Sequence, residues 1–224
     1  AIRSVVLASP CEAVVRGKTL IQMGTIGAED SRTLHTMLAR RGADYFEAPV
    51  LGSRAEAKAG TLLVMVGSTE TQFTKWRPLF RLLGRTPRRI GPVGTASTLK
   101  LALNQLIAAE MGAFALSVGF IQRSHVSMDV FMDILRGSAL FAPTFEKKLP
   151  RLMKRHYQDP NFSTAHLLKD VNLFIRSAKP LKVRFEALEK VGRLLREAIN
   201  HGLHASDYSA LYEIINPPVS HEHR

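Results

Sequence analysis

The sequence predicts an α/β unit followed by an all-helical one, with a long helix joining them. Three observations carry this. Between Thr19 and Ile90, short apolar runs alternate with stretches of helical periodicity, the pattern of a mostly parallel sheet with crossover helices. From Ala96 onward the strand signals stop. The pattern over 96–123 is continuous and apolar, long enough to link the two parts. The expected organisation is an α/β part over 1–93, a helical part over 94–218 and a loose tail over 219–224, after Pro217-Pro218.

Taken in order, residues 1–16 are short apolar stretches without a clear period, and Gly17-Lys18 is a turn. Thr19 to Thr25 reads as a buried strand ending in a small polar residue. A helix follows from Ala28 to Arg41, with Thr33, Leu34, Met37 and Leu38 on its inner side and Gly42 as its terminator. Tyr45 to Val50 is a second strand, leading into the loop Leu51-Gly52-Ser53. Ala55 to Ala59 is a polar interval, Thr61 to Val66 a third strand, and Glu70 to Leu83 a helix carrying Phe73, Trp76 and Phe80. Pro78 is expected to bend that helix, and Arg88 to Ile90 forms a fourth strand. Helical patterns then cover 96–123, 127–136, 143–156, 163–179, 181–200 and 205–215.

Composition narrows the function. Hydrophobic residues make up 46% of the 224 residues, enough for a real core. The net charge of +12 suits an anionic ligand, but the basic residues are dispersed and no zinc or RNP motif accompanies them, so nucleic acid is not the expected partner. The single cysteine, Cys11, excludes an intrachain disulfide and fits a reducing cytoplasm. No signal-peptide pattern is evident. No uninterrupted apolar run reaches the roughly 20 residues that span a bilayer. Leu99 to Ile121 comes nearest, broken by Lys100, Asn104, Gln105 and Glu110. The histidines near the C-terminus have no ligand spacing, so no metal is expected.

The chemistry concentrates in Gly91 to Asn104, GPVGTASTLKLALN. A glycine turn runs into the long helix, and Lys100 and Asn104, four residues apart, share one helix face. Lys100 is the only charged residue between Arg89 and Glu110. Spacing alone leaves two readings for it, a lysine snorkelling from a helix start or a buried cation with a chemical task.

Four stretches together resemble the β-hydroxyacid dehydrogenases, which include 3-hydroxyisobutyrate dehydrogenase and the glyoxylate/succinic semialdehyde reductases. They are Gln22-Met23-Gly24-Thr25, then Glu47 to Ser53 with Gly60-Thr61-Leu62 and Met65-Val66-Gly67, then Gly91-x-Val93-Gly94-x5-Lys100-x3-Asn104, and last Phe162 with Lys169-Asp170. The resemblance implies the C-terminal part of a Rossmann-type parallel sheet followed by a helical dehydrogenase domain. It implies a catalytic Lys100 and Asn104, substrate contacts from Leu51, Gly52 and Ser53, and cofactor contacts from Thr25, Phe162 and Lys169. The implied cofactor is NADP or NAD, with the positive charge a faint pointer to NADP. The implied substrate is a small carboxylate-bearing molecule, and the expected assembly is a homodimer or homotetramer, off the membrane.

Three departures accompany the resemblance. Serine is usual where Leu51 stands, aspartate where Gln22 stands, and a second asparagine at the position of Leu103. The family's initial βαβ unit with G-x-G-x-x-G, which seats the cofactor pyrophosphate on a helix N-terminus, is absent from these 224 residues. The chain is expected to be either part of a longer enzyme or a shortened paralogue. The competing reading is a non-catalytic scaffold for dimerisation or binding.

Overall fold

The computed structural model describes residues 12–218, so Cys11, the apolar stretch before it and the histidine-bearing tail over 219–224 lie outside the described residues. The chain divides into two compact units. One comprises Ala1–Leu103 and Arg176–Val183, the other Asn104–Ile175 and Arg184–Arg224.

The first unit is α/β. Its strands are β1 (Thr19–Gln22), β2 (Asp44–Glu47), β3 (Val50–Leu51), β4 (Leu63–Gly67) and β5 (Arg88–Gly91). Its helices are α1 (Glu12–Val15), α2 (Ala28–Ala39), α3 (Arg54–Lys58) and α4 (Glu70–Leu83). β1 pairs with β2 and β4 with β5 in parallel, and the two pairs meet antiparallel where Glu47 faces Gly67. β3 also lies antiparallel to β4. The sheet is therefore less uniformly parallel than the alternation of elements suggests. The reason is the connection from β3 to β4, which carries only the five-residue α3, whereas a parallel crossover needs a dozen or more residues.

Side chains of adjacent strand residues point to opposite faces, and β2 shows the consequence. Tyr45 packs with Leu34 and Leu38 of α2, while Phe46 packs with Val64, Val66 and Phe80. Phe46 and Phe80 meet edge to face at 6.0 Å, and Phe73 stacks on Phe80 at 6.5 Å. The expected second strand is split, because β2 stops at Glu47 and Ala48-Pro49 separates it from β3. Pro49 has no N–H to offer a ladder. The expected polar interval at Ala55 to Ala59 is the helix α3, begun by a capping box between Ser53 and Glu56. Arg176 joins this unit through an ion pair with Asp30 at 2.6 Å.

The second unit is helical. It takes the greater part of α5 (Thr95–Arg123), then α6 (Met128–Arg136), α7 (Pro143–Lys154), α8 (Thr164–Ala178) up to Ile175, α9 (Glu186–Ala198) and α10 (Leu211–Ile215). α5 has 29 residues. By length and composition alone it is long and apolar enough to cross a membrane, although polar residues interrupt the run as expected. Its interruptions are too few to lower its average. Much of that apolar surface is core, with Ala108, Met111, Phe114, Ala115 and Val118 packing against Met132, Leu152, Leu167, Leu195 and Leu211. Phe114 stacks on Phe145 at 4.5 Å. Lys148 of α7 donates to both oxygens of fully buried Asp207, at 2.7 and 2.8 Å, and lies over the Tyr208 ring at 4.2 Å. Burial pulls the Lys148 pKa down and the Asp207 bond opposes it.

Candidate active site

In the first unit, β1 ends at Gln22 and the turn Met23-Gly24-Thr25 follows at the C-terminal end of the strand, with Thr25 half-buried. Open α/β sheets bind ligands at that end. Gly27 then caps α2 without a side-chain bond, and Glu29 and Asp30 occupy the helix's first turn. Two carboxylates there complement the helix dipole and oppose a phosphate. The turn therefore suits the uncharged parts of a nucleotide, a ribose or a nicotinamide amide, rather than its pyrophosphate. No G-x-G-x-x-G stands among the 224 residues to hold that pyrophosphate. The residues present fit the nicotinamide side of an NAD(P) molecule.

Leu51 is the second residue of β3 rather than a loop residue. Gly52 has φ 137°, and a Cβ there would lie 2.7 Å from Leu62 Cδ2, so only glycine fits without a shift. Ser53 is the N-cap of α3. Its N–H donates to Glu56 Oε2 at 2.7 Å, and its hydroxyl also contacts Glu56 Oε2. Of the three residues expected to contact substrate, Ser53 has its backbone N–H engaged by the capping box.

α5 begins directly after Gly94. Glu47, the last residue of β2, accepts hydrogen bonds from the N–H groups of Gly94 and Ser97 at 2.8 and 3.0 Å. Lys100 follows one turn on and is buried, at 8% exposure.

In the second unit, Asn104 is 3% exposed. Its Nδ2 donates to Asp170 Oδ2 at 2.6 Å, and its Oδ1 is buried without a hydrogen-bond partner. Asp170 also forms an ion pair with Lys169, Nζ to Oδ1 at 2.8 Å, in a geometry that is not a hydrogen bond. Asp170 points inward and Lys169 is half exposed, as adjacent helix residues about 100° apart allow. The structure thus joins Asn104, Asp170 and Lys169 in one chain of contacts, with Asp170 as its centre. Phe162 stands apart from that chain. Its ring stacks on His166 at 6.4 Å and meets Tyr208 edge-on at 5.9 Å. Two open grooves in this unit lie elsewhere, of about 430 and 560 Å³, near Arg123 and Arg155 and near Glu189 and Arg193, and hold none of these residues.

A model of the NAD-binding part of NADP-dependent 3-hydroxyisobutyrate dehydrogenase matches residues 94–215, and one of the NAD-binding domain of 6-phosphogluconate dehydrogenase matches 1–94. Glyoxylate/succinic semialdehyde reductase 1 of Arabidopsis thaliana is 29% identical over 204 residues, which is 91% of this chain and 70% of the relative. The 2-hydroxy-3-oxopropionate reductase of Escherichia coli K12 is 28% identical over 211 residues, 94% of this chain and 72% of the relative. Among solved structures, a 3-hydroxyisobutyrate dehydrogenase from Salmonella typhimurium superposes with a TM-score of 0.84 at 23% identity, over 95% of this chain and 75% of the other.

Proposed function

The chain belongs to the β-hydroxyacid dehydrogenase family, the NAD(P)-dependent dehydrogenases and reductases of small hydroxy acids, and from that premise we propose that it reduces a small carboxylate-bearing aldehyde or keto acid such as glyoxylate or succinic semialdehyde. The observation that carries the reading is Lys100, a buried ammonium group on the helix that follows the glycine turn. The names of the two curated relatives support the substrate class.

When bound, the nicotinamide supplies the hydride. As the carbonyl carbon receives it, the carbonyl oxygen becomes an alkoxide. The Lys100 ammonium stabilises that charge and donates its proton, leaving a neutral amine that recovers a proton from solvent. Asn104, one turn further along α5, offers the unpartnered Oδ1 as an acceptor for the hydroxyl of the product alcohol, while Asp170 fixes its amide. Gly52 lets backbone approach a substrate carboxylate closely. Leu51 brings bulk and no hydroxyl to the substrate segment, which favours a compact substrate anchored by its carboxylate. Cofactor contacts are assigned to Thr25 in the first unit and to Phe162 and Lys169 in the second. NADP is the preferred cofactor, since the surplus of positive charge favours an added phosphate.

We assign the partner role to a second copy of the chain. Leu106, Ala109, Ala113, Leu116 and Phe120 recur at seven-residue and three-to-four-residue intervals on the outer side of α5, with Leu116 63% and Phe120 68% exposed. That spacing is the seam of a helix pair. A chain with one cysteine suits the cytoplasm.

The test is turnover of glyoxylate and succinic semialdehyde with NADPH and NADH, by wild type and by Lys100→Ala. Cofactor binding is read in parallel as a rise in melting temperature. Lys100→Ala should lose at least ~10²-fold in kcat, the scale of a lost general acid, and keep its cofactor-induced shift. Undiminished turnover by Lys100→Ala would overturn the assignment. Cofactor binding without turnover of either substrate by wild type would favour a scaffold.

A further inference from the structure

Glu47 is a carboxylate with no exposed surface, and the reaction as written makes no use of it. Its oxygens are fully committed. Oε1 accepts from the N–H of Gly94 at 2.8 Å and of Ser97 at 3.0 Å. Oε2 accepts from the Ser97 hydroxyl at 2.6 Å and from the Ser31 hydroxyl. Ser31 in turn contacts the Tyr45 hydroxyl at 2.9 Å. Every one of these residues lies in the first unit, as does Lys100.

Burying a carboxylate costs several kcal/mol even when the surroundings relax, so the arrangement needs a reason. The start of α5 supplies one. The first N–H groups of a helix have no acceptor of their own, and Gly94, just before the helix, has no side chain with which to cap them. Glu47 satisfies the two backbone positions that a capping box usually serves, but it does so from the end of a strand 47 to 50 residues away in sequence. Its negative charge also lies at the positive end of the helix dipole.

Glu47 thereby connects two parts of the site. On one side it grips the first turn of α5, and Lys100 stands three residues beyond Ser97, about 4.5 Å along the axis. On the other it ends β2, from which the chain passes through Ala48-Pro49 into β3 and Gly52. We propose that Glu47 is a positioning residue that brackets the start of α5 to the end of β2 and so sets the place of Lys100 relative to the substrate segment. This rests on the reading of Lys100 as proton donor.

The experiment follows the Lys100 side chain directly. Lysine is labelled with ¹³C at Cε, and the Lys100 signal is identified by its loss in Lys100→Arg. In Glu47→Ala the Lys100 signal should move and broaden while the other lysine signals hold. In the same variant kcat should fall on the order of 10²-fold, the scale of a misplaced reacting group, with a smaller change in KM for the carboxylate substrate. Glu47→Gln, equal in size and still able to accept from both backbone N–H groups, should recover part of that loss and return the Lys100 signal toward its wild-type position. A general loss of stability would not produce that pattern in folded protein. Should Glu47→Ala fail to fold, Ser97→Ala removes one bond of the four and must shift the Lys100 signal in the same direction. An unmoved signal in whichever of these variants folds overturns the proposal. Inactive Lys100→Ala beside fully active Glu47→Ala also overturns it and spares the proton-donor reading. Active Lys100→Ala removes both.

Discussion

Gly67 has no side chain because Glu47 occupies the place where one would be. A Cβ at Gly67 would lie 2.7 Å from Glu47 Cγ and 2.9 Å from its Cδ, closer than real Cβ atoms come. Glu47 is held by its hydrogen bonds and cannot retreat. Gly67→Ala should therefore destabilise the chain by roughly 1–3 kcal/mol, the usual cost of overpacking, read as a lower urea midpoint with an unchanged slope. A stability equal to wild type would mean that the carboxylate has room to move. The spacing of Lys100 and Asn104 was readable at this scale, since residues four apart on a helix always share a face. The commitment of the Ser53 N–H to Glu56 is legible in principle, from serine followed three residues later by glutamate.

At the scale of elements, α5 combines two surfaces. One builds the helical core through Ala108, Met111, Phe114 and Val118. The other carries Leu106, Leu116 and Phe120 in the open. Mutual burial of such a stripe is worth about 25 cal/mol per Å² of apolar surface. Under the pairing proposed above, wild type should sediment as a dimer and Leu116→Glu with Phe120→Glu as a monomer, with little loss of helix by circular dichroism. A monomeric wild type would overturn the pairing, and a double variant that stays dimeric would overturn this interface. Helix limits agree with the periodicity to within a few residues over 70–83, 95–123 and 128–136, because amphipathic packing and capping are encoded locally. α3 was missed for the same reason in reverse, as five residues are too few to show a period. The stretch over 181–200 narrows to α9 because Lys182, at φ 57°, is in the left-handed region and interrupts the helix.

Considering the whole molecule, each unit buries a tyrosine whose acidity reports folding. Burial pushes both Tyr45 and Tyr208 up from 10.0 to about 12. In the unfolded chain these phenols lose their protons near the ordinary value, while the folded chain holds them to about 12. Between those limits the unfolded state binds fewer protons, so stability falls as pH rises through the window, and the contribution is fully present below it. Urea unfolding followed from pH ~8 to ~11.5 should show this decline, and Tyr45→Phe should flatten part of it. A stability that stays level across the window would contradict the burial of these phenols.

The sequence by itself determined the alternation of strand and helix, the change to an all-helical second part, the long helix and the Lys100–Asn104 pair on it. It also carried enough of the dispersed motif to place the chain among the β-hydroxyacid dehydrogenases. All of these are written in residues close together in the chain, or in their order, and depend on periods and spacings that need no distant partner. Only the tertiary structure decided the antiparallel meeting of β2 with β4, the bond from Asn104 to Asp170 across 66 residues, and the capping of α5 by Glu47. The physical reason is that a buried polar group must find a partner. Which one it finds depends on how the sheet and helices pack, and not on its neighbours in sequence.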